Sequence, residues 1–197
     1  MKLFTNVFAA TLLMATTALA GDFRVDVAHS QVAFKVKHLG ISTVTGYFND
    51  FNASFDVDPS DLSTLKAEAT IETRSVDTRA EDRDTHLRSA DFFDVENHPQ
   101  MRFTSTKAKV VGKNRVELHG NLTIRGVTKP IVLDAEFQGA AMGPMGKHRA
   151  AFTASTTINR KDFGVSWNKT LDAGGFVVGE EVLIQIELEA VSMETTD

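Results

Sequence analysis

Residues 116–137 read VELHGNLTIRGVTKPIVLDAEF, and the spacing of their apolar side chains decides the fold class. Val116, Leu118, Gly120, Leu122 and Ile124 share one face of an extended chain, and beyond Arg125-Gly126 the alternation resumes with Ile131, Leu133, Ala135 and Phe137. A period of two places one face of a strand in a core and the other in water. The tight connection at Arg125-Gly126 makes the two runs antiparallel neighbours. Pro130 stands at the start of the second strand, where its missing N–H does least harm. Met101, Phe103 and Ser105, before the turn Gly112-Lys113-Asn114, add a third strand to this meander.

The same period recurs on both sides. Val32, Phe34, Val36 and His38 alternate with Gln31, Lys35 and Lys37. Val44, Gly46 and Phe48 follow, and then Phe51, Ala53, Phe55 and Val57 run one step out of phase, which predicts a bulge near Asn49-Asp50. After the turn Asp58-Pro59-Ser60-Asp61 another strand covers residues 65–73. Ala150, Phe152, Ala154, Thr156 and Ile158 form a further run, and Val182, Ile184, Ile186, Leu188 and Ala190 form the last. Residues 139–146, GAAMGPMG, have no period and are expected to be a loop. Residues 159–179, with the single tryptophan Trp167, form a second irregular segment. About eight alternating segments with one wet face each fit an antiparallel sandwich or a closed barrel, and exclude a parallel sheet covered on both faces. Long strands leave exposed edges unless the sheet closes, which favours the barrel.

Residues 70–99 interrupt the pattern with a dense charged stretch. Thr78-Arg79-Ala80-Glu81 has capping-box spacing, so a short helix is expected from about residue 79 to 88. Asp84 precedes Arg88 by four residues, the favourable order for a helix-surface ion pair. Phe92 and Phe93 come next, and burying each stabilises by ~1.5–3 kcal/mol, so they are expected to plug a cavity or one end of a core.

Residues 1–20 carry Lys2, an apolar run from Val7 to Ala15 and Ala18-Leu19-Ala20 before Gly21, the pattern of a cleaved secretory signal. The apolar run is too short to span a bilayer, so no integral membrane segment is expected in the mature domain, residues 21–197. Cysteine is absent, which rules out disulfides and lipid attachment through a thioether. A soluble exported protein, most simply periplasmic, follows. With 26 acidic against 21 basic residues, net charge −5, and no basic block, nucleic acid is not an expected partner. The six histidines, His29, His38, His86, His98, His119 and His148, lack metal-ligand spacing, and no nucleophile-elbow serine is present, so no metal, cofactor or catalytic residue is assigned.

The inward set mixes phenylalanines with Ala67, Ala69, Ser105, Gly120, Ala135 and Ala154. Eight strands enclose just enough room for packed side chains or for one small ligand. Small residues among large ones fit either.

The chain resembles the YceI family over nearly its whole length. The resemblance rests on Val27-Ala28-His29-Ser30, Val32-Ala33-Phe34, Lys37-His38-Leu39-Gly40, Gly46-Tyr47-Phe48 and Ser75-Val76-Asp77-Thr78. It continues through Arg83-Asp84, the run HLRSADFF at residues 86–93, Pro99, Phe103-Thr104-Ser105-Thr106, the run GNLTIRGVTKP at residues 120–130, and NRKDFG at residues 159–164. It implies an elongated, lipocalin-like antiparallel barrel holding a polyisoprenoid, such as an isoprenoid quinone, in an apolar tunnel for binding, storage or transport. A strand of about twelve residues at ~3.3 Å each and ~40° tilt makes such a tunnel roughly 30 Å long. Its wall is then expected from Phe34, Val36, Phe48, Ile71, Phe92, Phe93, Phe103, Leu118, Leu122, Leu133, Phe137, Phe152, Ile184 and Ile186. Two other readings stand beside it: an enzyme of isoprenoid or quinone metabolism using Asp77, Arg83, Asp84 and His86, and a homodimer paired through outer strand faces.

Overall fold

The computed structural model, which describes residues 21–143, 146–172 and 174–193, turns the alternating runs into a ring of eight antiparallel strands, three of them bent. The leader expected at residues 1–20 lies outside the described residues. The first strand is split into β1 (Gly21–Val25) and β2 (Gln31–His38) by a 3-10 turn at Val27–His29. The side chain of Asp26 caps that turn by accepting from the Ala28 N–H. The second, β3 (Ser42–Phe48) and β4 (Phe51–Asp58), breaks at Asn49-Asp50, where the apolar phase shifts in the sequence. The third, β5 (Asp61–Glu72) and β6 (Val76–Asp77), breaks at the 3-10 turn Thr73–Ser75. A helix, α1 (Glu81–Arg88), leads to the unbroken strands β7 (Gln100–Val110), β8 (Arg115–Ile124), β9 (Val127–Met142), β10 (His148–Asn159) and β11 (Val178–Ser192).

Each strand pairs with its neighbours in the chain, and β11 closes the ring. It pairs with β10 along one edge and with both β1 and β2 along the other. The tight hairpin between β8 and β9 works because Arg125 (φ +49°) and Gly126 (φ +73°) are both left-handed, the geometry that suits the twist of paired strands.

Two expectations are corrected. Residues 139–142 are strand, pairing with residues 148–151, and not loop. Gly139 at φ +128° and a register shift between Ala151 and Phe152 move the side-chain phase there, so the period disappears although the ladder continues. Likewise β11 starts at Val178, four residues before the alternation from Val182, because a register shift separates the two.

The up-and-down order gives the barrel two unlike ends. The hairpin after β2, α1, the Arg125-Gly126 turn and the 160–177 connection lie at one end. The turns after β4, β7 and β9 lie at the other, with the described termini. This second end is solid: Phe23, Val57, Val116 and Ala190 have no exposed surface. Phe23 stacks on Phe55 at 5.3 Å, Phe55 meets Phe152 edge-on at 5.2 Å, and Phe137 leans on Phe152 at 5.1 Å. Arg149 clasps the bent first strand to β11 there, donating from Nη1 to Asp26 at 2.9 Å and to Glu189. His29 joins through Nδ1, 3.0 Å from Asp26. Asp26, His29 and Glu189 could otherwise form a cation site, but the guanidinium already supplies the positive charge.

Two predictions follow from the packing and the clasp. A Cβ on Gly120 would sit 2.4 Å from the Phe103 ring and 2.7 Å from the Thr104 carbonyl oxygen, which is backbone and cannot swing aside. Gly120→Ala is expected to lower stability by about 1–3 kcal/mol, read from the urea midpoint. Hydrogen bonds from Arg149, and then from His29, hold the Asp26 carboxyl below its ordinary value of 3.8. A lowered carboxyl contributes stability that is full above 3.8 and is lost as pH falls through the folded value. The stability gap between wild type and Arg149→Met is therefore expected to be flat above about pH 5 and to shrink in acid below 3.8, followed by urea unfolding across pH.

Candidate functional site

Inward residues from every strand of the ring except the shortest pieces surround an apolar cavity of about 220 Å³. Of the fourteen residues expected on the tunnel wall, thirteen line it; Phe137 does not. The last register between β8 and β9 is Arg115 with Glu136, so Phe137 lies one step past the end of β8, supporting Phe152 from the solid side. The space comes from the small inward residues. Ala53, Ala67 and Ala69 on β4 and β5 and Ala135 and Ala154 on β9 and β10 all border it. Phe55 and Phe152 form the floor where the cavity meets the packed end.

The opposite end is partly covered by residues from the two irregular connections. Leu87, Phe92 and Phe93 come from α1 and the turn after it, and Phe163 and Val165 from the segment after β10. Phe93 meets Phe48 edge-on at 5.5 Å. Phe92 is backed by His86 at 5.0 Å and Trp167 at 5.3 Å, with His86 and Trp167 in edge contact at 4.8 Å. Among the described residues Trp167 does not line the cavity itself and packs behind Phe92, which does. Arg125 ties the two covering segments together, donating from Nη1 to Phe92 O at 3.0 Å and Gly164 O at 3.3 Å. Phe163 and Val165 were not placed on the wall from the sequence because nonrepetitive backbone has no period to orient them, and Leu87 was read only as the apolar stripe of the helix.

The charges of α1 are used to hold the helix in place. The expected capping box does not form: Ala80 is the N-cap residue and makes no side-chain cap bond. Thr78 instead donates its N–H at 2.9 Å and its hydroxyl at 2.5 Å to the buried carboxylate of Asp84. Arg83 donates to the Thr78 hydroxyl oxygen at 2.7 Å and carbonyl at 2.8 Å. The expected Asp84–Arg88 pair is replaced as well, since Arg88 donates to Arg74 O and Val76 O at 3.0 Å and meets Glu81 at 3.3 Å. Asp77 accepts from the Arg79 N–H and from Asn49, which lower its carboxyl below the ordinary value. His86 Nε2 lies 2.9 Å from Asp91. Asp77, Arg83, Asp84 and His86 therefore each have a partner that fixes the helix or the turn behind Phe92.

One charged side chain of the wall is buried. Arg160, 5% exposed, opens the 3-10 turn Arg160–Phe163 after β10, and its guanidinium is surrounded by backbone carbonyls of the 165–179 stretch. Burial holds it below the ordinary arginine value. The other polar lining residues, Ser54 and Glu68, face each other across β4 and β5 where the neighbouring inward side chains are alanines.

Residues 23–190 match the YceI-like domain. The chain belongs to the YceI-like family. A UPF0312 protein of Pectobacterium carotovorum is 43% identical over 178 residues, covering 89% of this chain and 90% of its own. Among solved structures, BcnA of Burkholderia cenocepacia superposes with a TM-score of 0.75 at 26% identity, over 84% of this YceI-like chain and 99% of its own. A polyisoprenoid binding domain from Saccharophagus degradans shares the fold at 15% identity with a TM-score of 0.66, over 88% and 99% of the two chains. The lipocalin-like barrel is thus the architecture of this YceI-like protein, with the wall, floor and helix cover described above.

Asp84→Ala would leave the buried Thr78 N–H and hydroxyl without their acceptor. An unsatisfied buried donor costs about 1–3 kcal/mol, so thermal unfolding of this variant is expected to drop accordingly, while Glu81→Ala, at an exposed partner of Arg88, is expected to change little.

Proposed function

We propose that the protein binds a long apolar lipid, a polyisoprenoid such as an isoprenoid quinone, in the barrel tunnel and acts as an exported carrier or store of it in the periplasm. The observation that carries this reading is the unfilled apolar lumen. Core cavities cost about 24 cal/mol per Å³, so 220 Å³ left empty forgoes roughly 5 kcal/mol. That is comparable to the whole stability of many domains, about 5–15 kcal/mol, and far beyond ordinary packing imperfection. Water is a poor occupant, because an apolar wall offers it few hydrogen-bond partners. A flexible hydrocarbon chain regains the burial through contacts that need no particular orientation.

Membership of the YceI-like family and the shared fold of the polyisoprenoid binding domain from Saccharophagus degradans support a lipid-binding role. A binding protein also fits the placement of the charged residues. Asp77, Arg83 and Asp84 are occupied in anchoring α1 and its preceding turn, which leaves catalysis without a convergent set of groups among them. The leader pattern at residues 1–20 and the absence of cysteine support export.

Mass spectrometry of an organic extract from gently purified protein is expected to show a stoichiometric long-chain isoprenoid. Ala154→Phe puts a ring into the lumen between Ala135 and Ile186, its register partners. It is expected to lower affinity for a displaceable fluorescent lipid by more than about tenfold with the thermal midpoint held or raised, since filling a cavity recovers packing. A folded Ala154→Phe protein that binds the probe as wild type does would sink the tunnel reading.

A further inference from the structure

Arg160 is the one buried cation among the described residues, and it borders the tunnel at the end opposite the Phe55–Phe152 floor. Its nitrogens are unequally engaged. Nε donates to Gly179 O at 2.8 Å, and Nη1 donates to Val165 O at 2.7 Å and Trp167 O at 2.9 Å. Among the described residues Nη2 has one hydrogen-bond contact, 3.5 Å from Val178 O. That oxygen already accepts a 2.7 Å bond from Asn168 Nδ2. N–H···O bonds normally fall at about 2.7–3.2 Å, so Nη2 is the nitrogen with donors to spare.

Among the described residues no carboxylate makes a direct ion pair with Arg160. Backbone carbonyls satisfy N–H groups but carry no net charge. The carboxylate that acts on Arg160 is Glu180, and Glu180 is itself held by Lys161 Nζ. A buried charge whose nearest counter-charge is shared with another cation is costly, and a directly paired opposite charge relieves it. The planar guanidinium fork suits oxyanions in particular, because two of its N–H groups can meet two oxygens. If Arg160 only clamped the 165–179 stretch, the three short bonds from Nε and Nη1 would be enough, and the Nη2 donors of this cavity-lining residue would be idle.

We propose that Arg160 anchors the head group of the bound lipid, with Nη2 donating to an oxyanion, a phosphate or a carboxylate, carried by the chain whose apolar tail runs toward Phe55 and Phe152. This rests on the apolar-chain reading of the tunnel, and it adds to that reading an orientation, head toward the α1 end and tail toward the floor. It also adds a preference among lipids of one chain length.

The test uses two ligands with one tail, geranylgeranyl phosphate and geranylgeraniol, each measured by displacement of a fluorescent lipid from the wild-type protein. The phosphate is expected to bind roughly ten- to a hundredfold more tightly than the alcohol, the range of a hydrogen bond to a charged group. Arg160→Gln is expected to abolish that difference, weakening the phosphate at least about tenfold more than it weakens the alcohol. Arg160→Lys, which keeps the charge without the fork, is expected to retain part of it. Equal weakening of both ligands by Arg160→Gln would make the residue a clamp for the connecting segment and overturn the proposal, as would equal affinities in the wild type. Inorganic phosphate alone is expected not to displace the probe; displacement by it at concentrations matching the lipid phosphate would point to a free-anion site and also overturn the head-group reading. Binding of neither lipid would defeat the apolar-chain reading itself, whereas binding of the alcohol without a phosphate preference defeats only the anchor. Where Arg160→Gln fails to fold, the ³¹P titration of wild-type-bound geranylgeranyl phosphate decides. A guanidinium beside the phosphate favours the dianion and lowers its second pKa relative to free ligand, and an unshifted titration overturns the proposal.

Discussion

Ring closure by β11 is the constraint on which the rest of the structure depends. β11 pairs with β10 on one side and with both halves of the first strand on the other. Without that second pairing, the first strand and β11 would both present open edges, and the inward phenylalanines would face solvent in place of a lumen. The two halves pair with consecutive stretches of β11, and the five residues 26–30 between them stand opposite Leu188 and Glu189 alone, so the chain must loop out there. The 3-10 turn at Val27–His29 makes the bend, and Asp26, Arg149 and Glu189 hold it. Polar contacts thus act at the point where geometry is fixed, while apolar burial supplies the bulk of the stabilisation.

Within the ring, the inward residue sizes divide the lumen into a filled part and an open part. Phenylalanines and valines meet at the end that carries the described termini, and alanines on β4, β5, β9 and β10 border the open part. Two glycines work in the other direction. Gly120 lies against the ring of Phe103 and Gly46 against that of Phe34, so each makes room for an aromatic wall residue. Packing around the tunnel is therefore tight in the wall itself, and the empty space is confined to the axis. A wall of this kind keeps its shape when the lumen is unoccupied, because its strands are held by one another and not by a ligand.

Much of this was legible in the sequence. Alternation gave the strands, and the phase change at Asn49-Asp50, read as a bulge, is a full break between β3 and β4. Phe92 and Phe93 were placed at a cavity by the cost of leaving them in water. What could not be read had local causes. The register shift near Ala151 and Phe152 hid the continuation of β9 through residues 139–142, and Phe137 alternated in phase yet lay past the end of its partner strand. The Thr78–Glu81 spacing matched a capping box, but the backbone leaves the threonine before the N-cap and turns its hydroxyl toward Asp84. Arg160 appeared only as part of a family-like motif, since no periodicity argument assigns depth to a residue in a 3-10 turn. Its burial depends on carbonyls contributed by a segment up to nineteen residues away.

For the proposed lipid ligand, the packed floor at Phe55 and Phe152 has a consequence for which chains fit. A tunnel open along its whole length would let a chain slide through and would be indifferent to how many carbons it held. A blind one has a depth, and a chain that meets the floor before its head reaches the rim fits differently from one that is too long and must leave its last units outside. For that proposed ligand the aromatic floor would act as a ruler. Substituting its residues would reset the graduation without touching the opening, in the way that raising the bottom of a well shortens the rope that can hang in it.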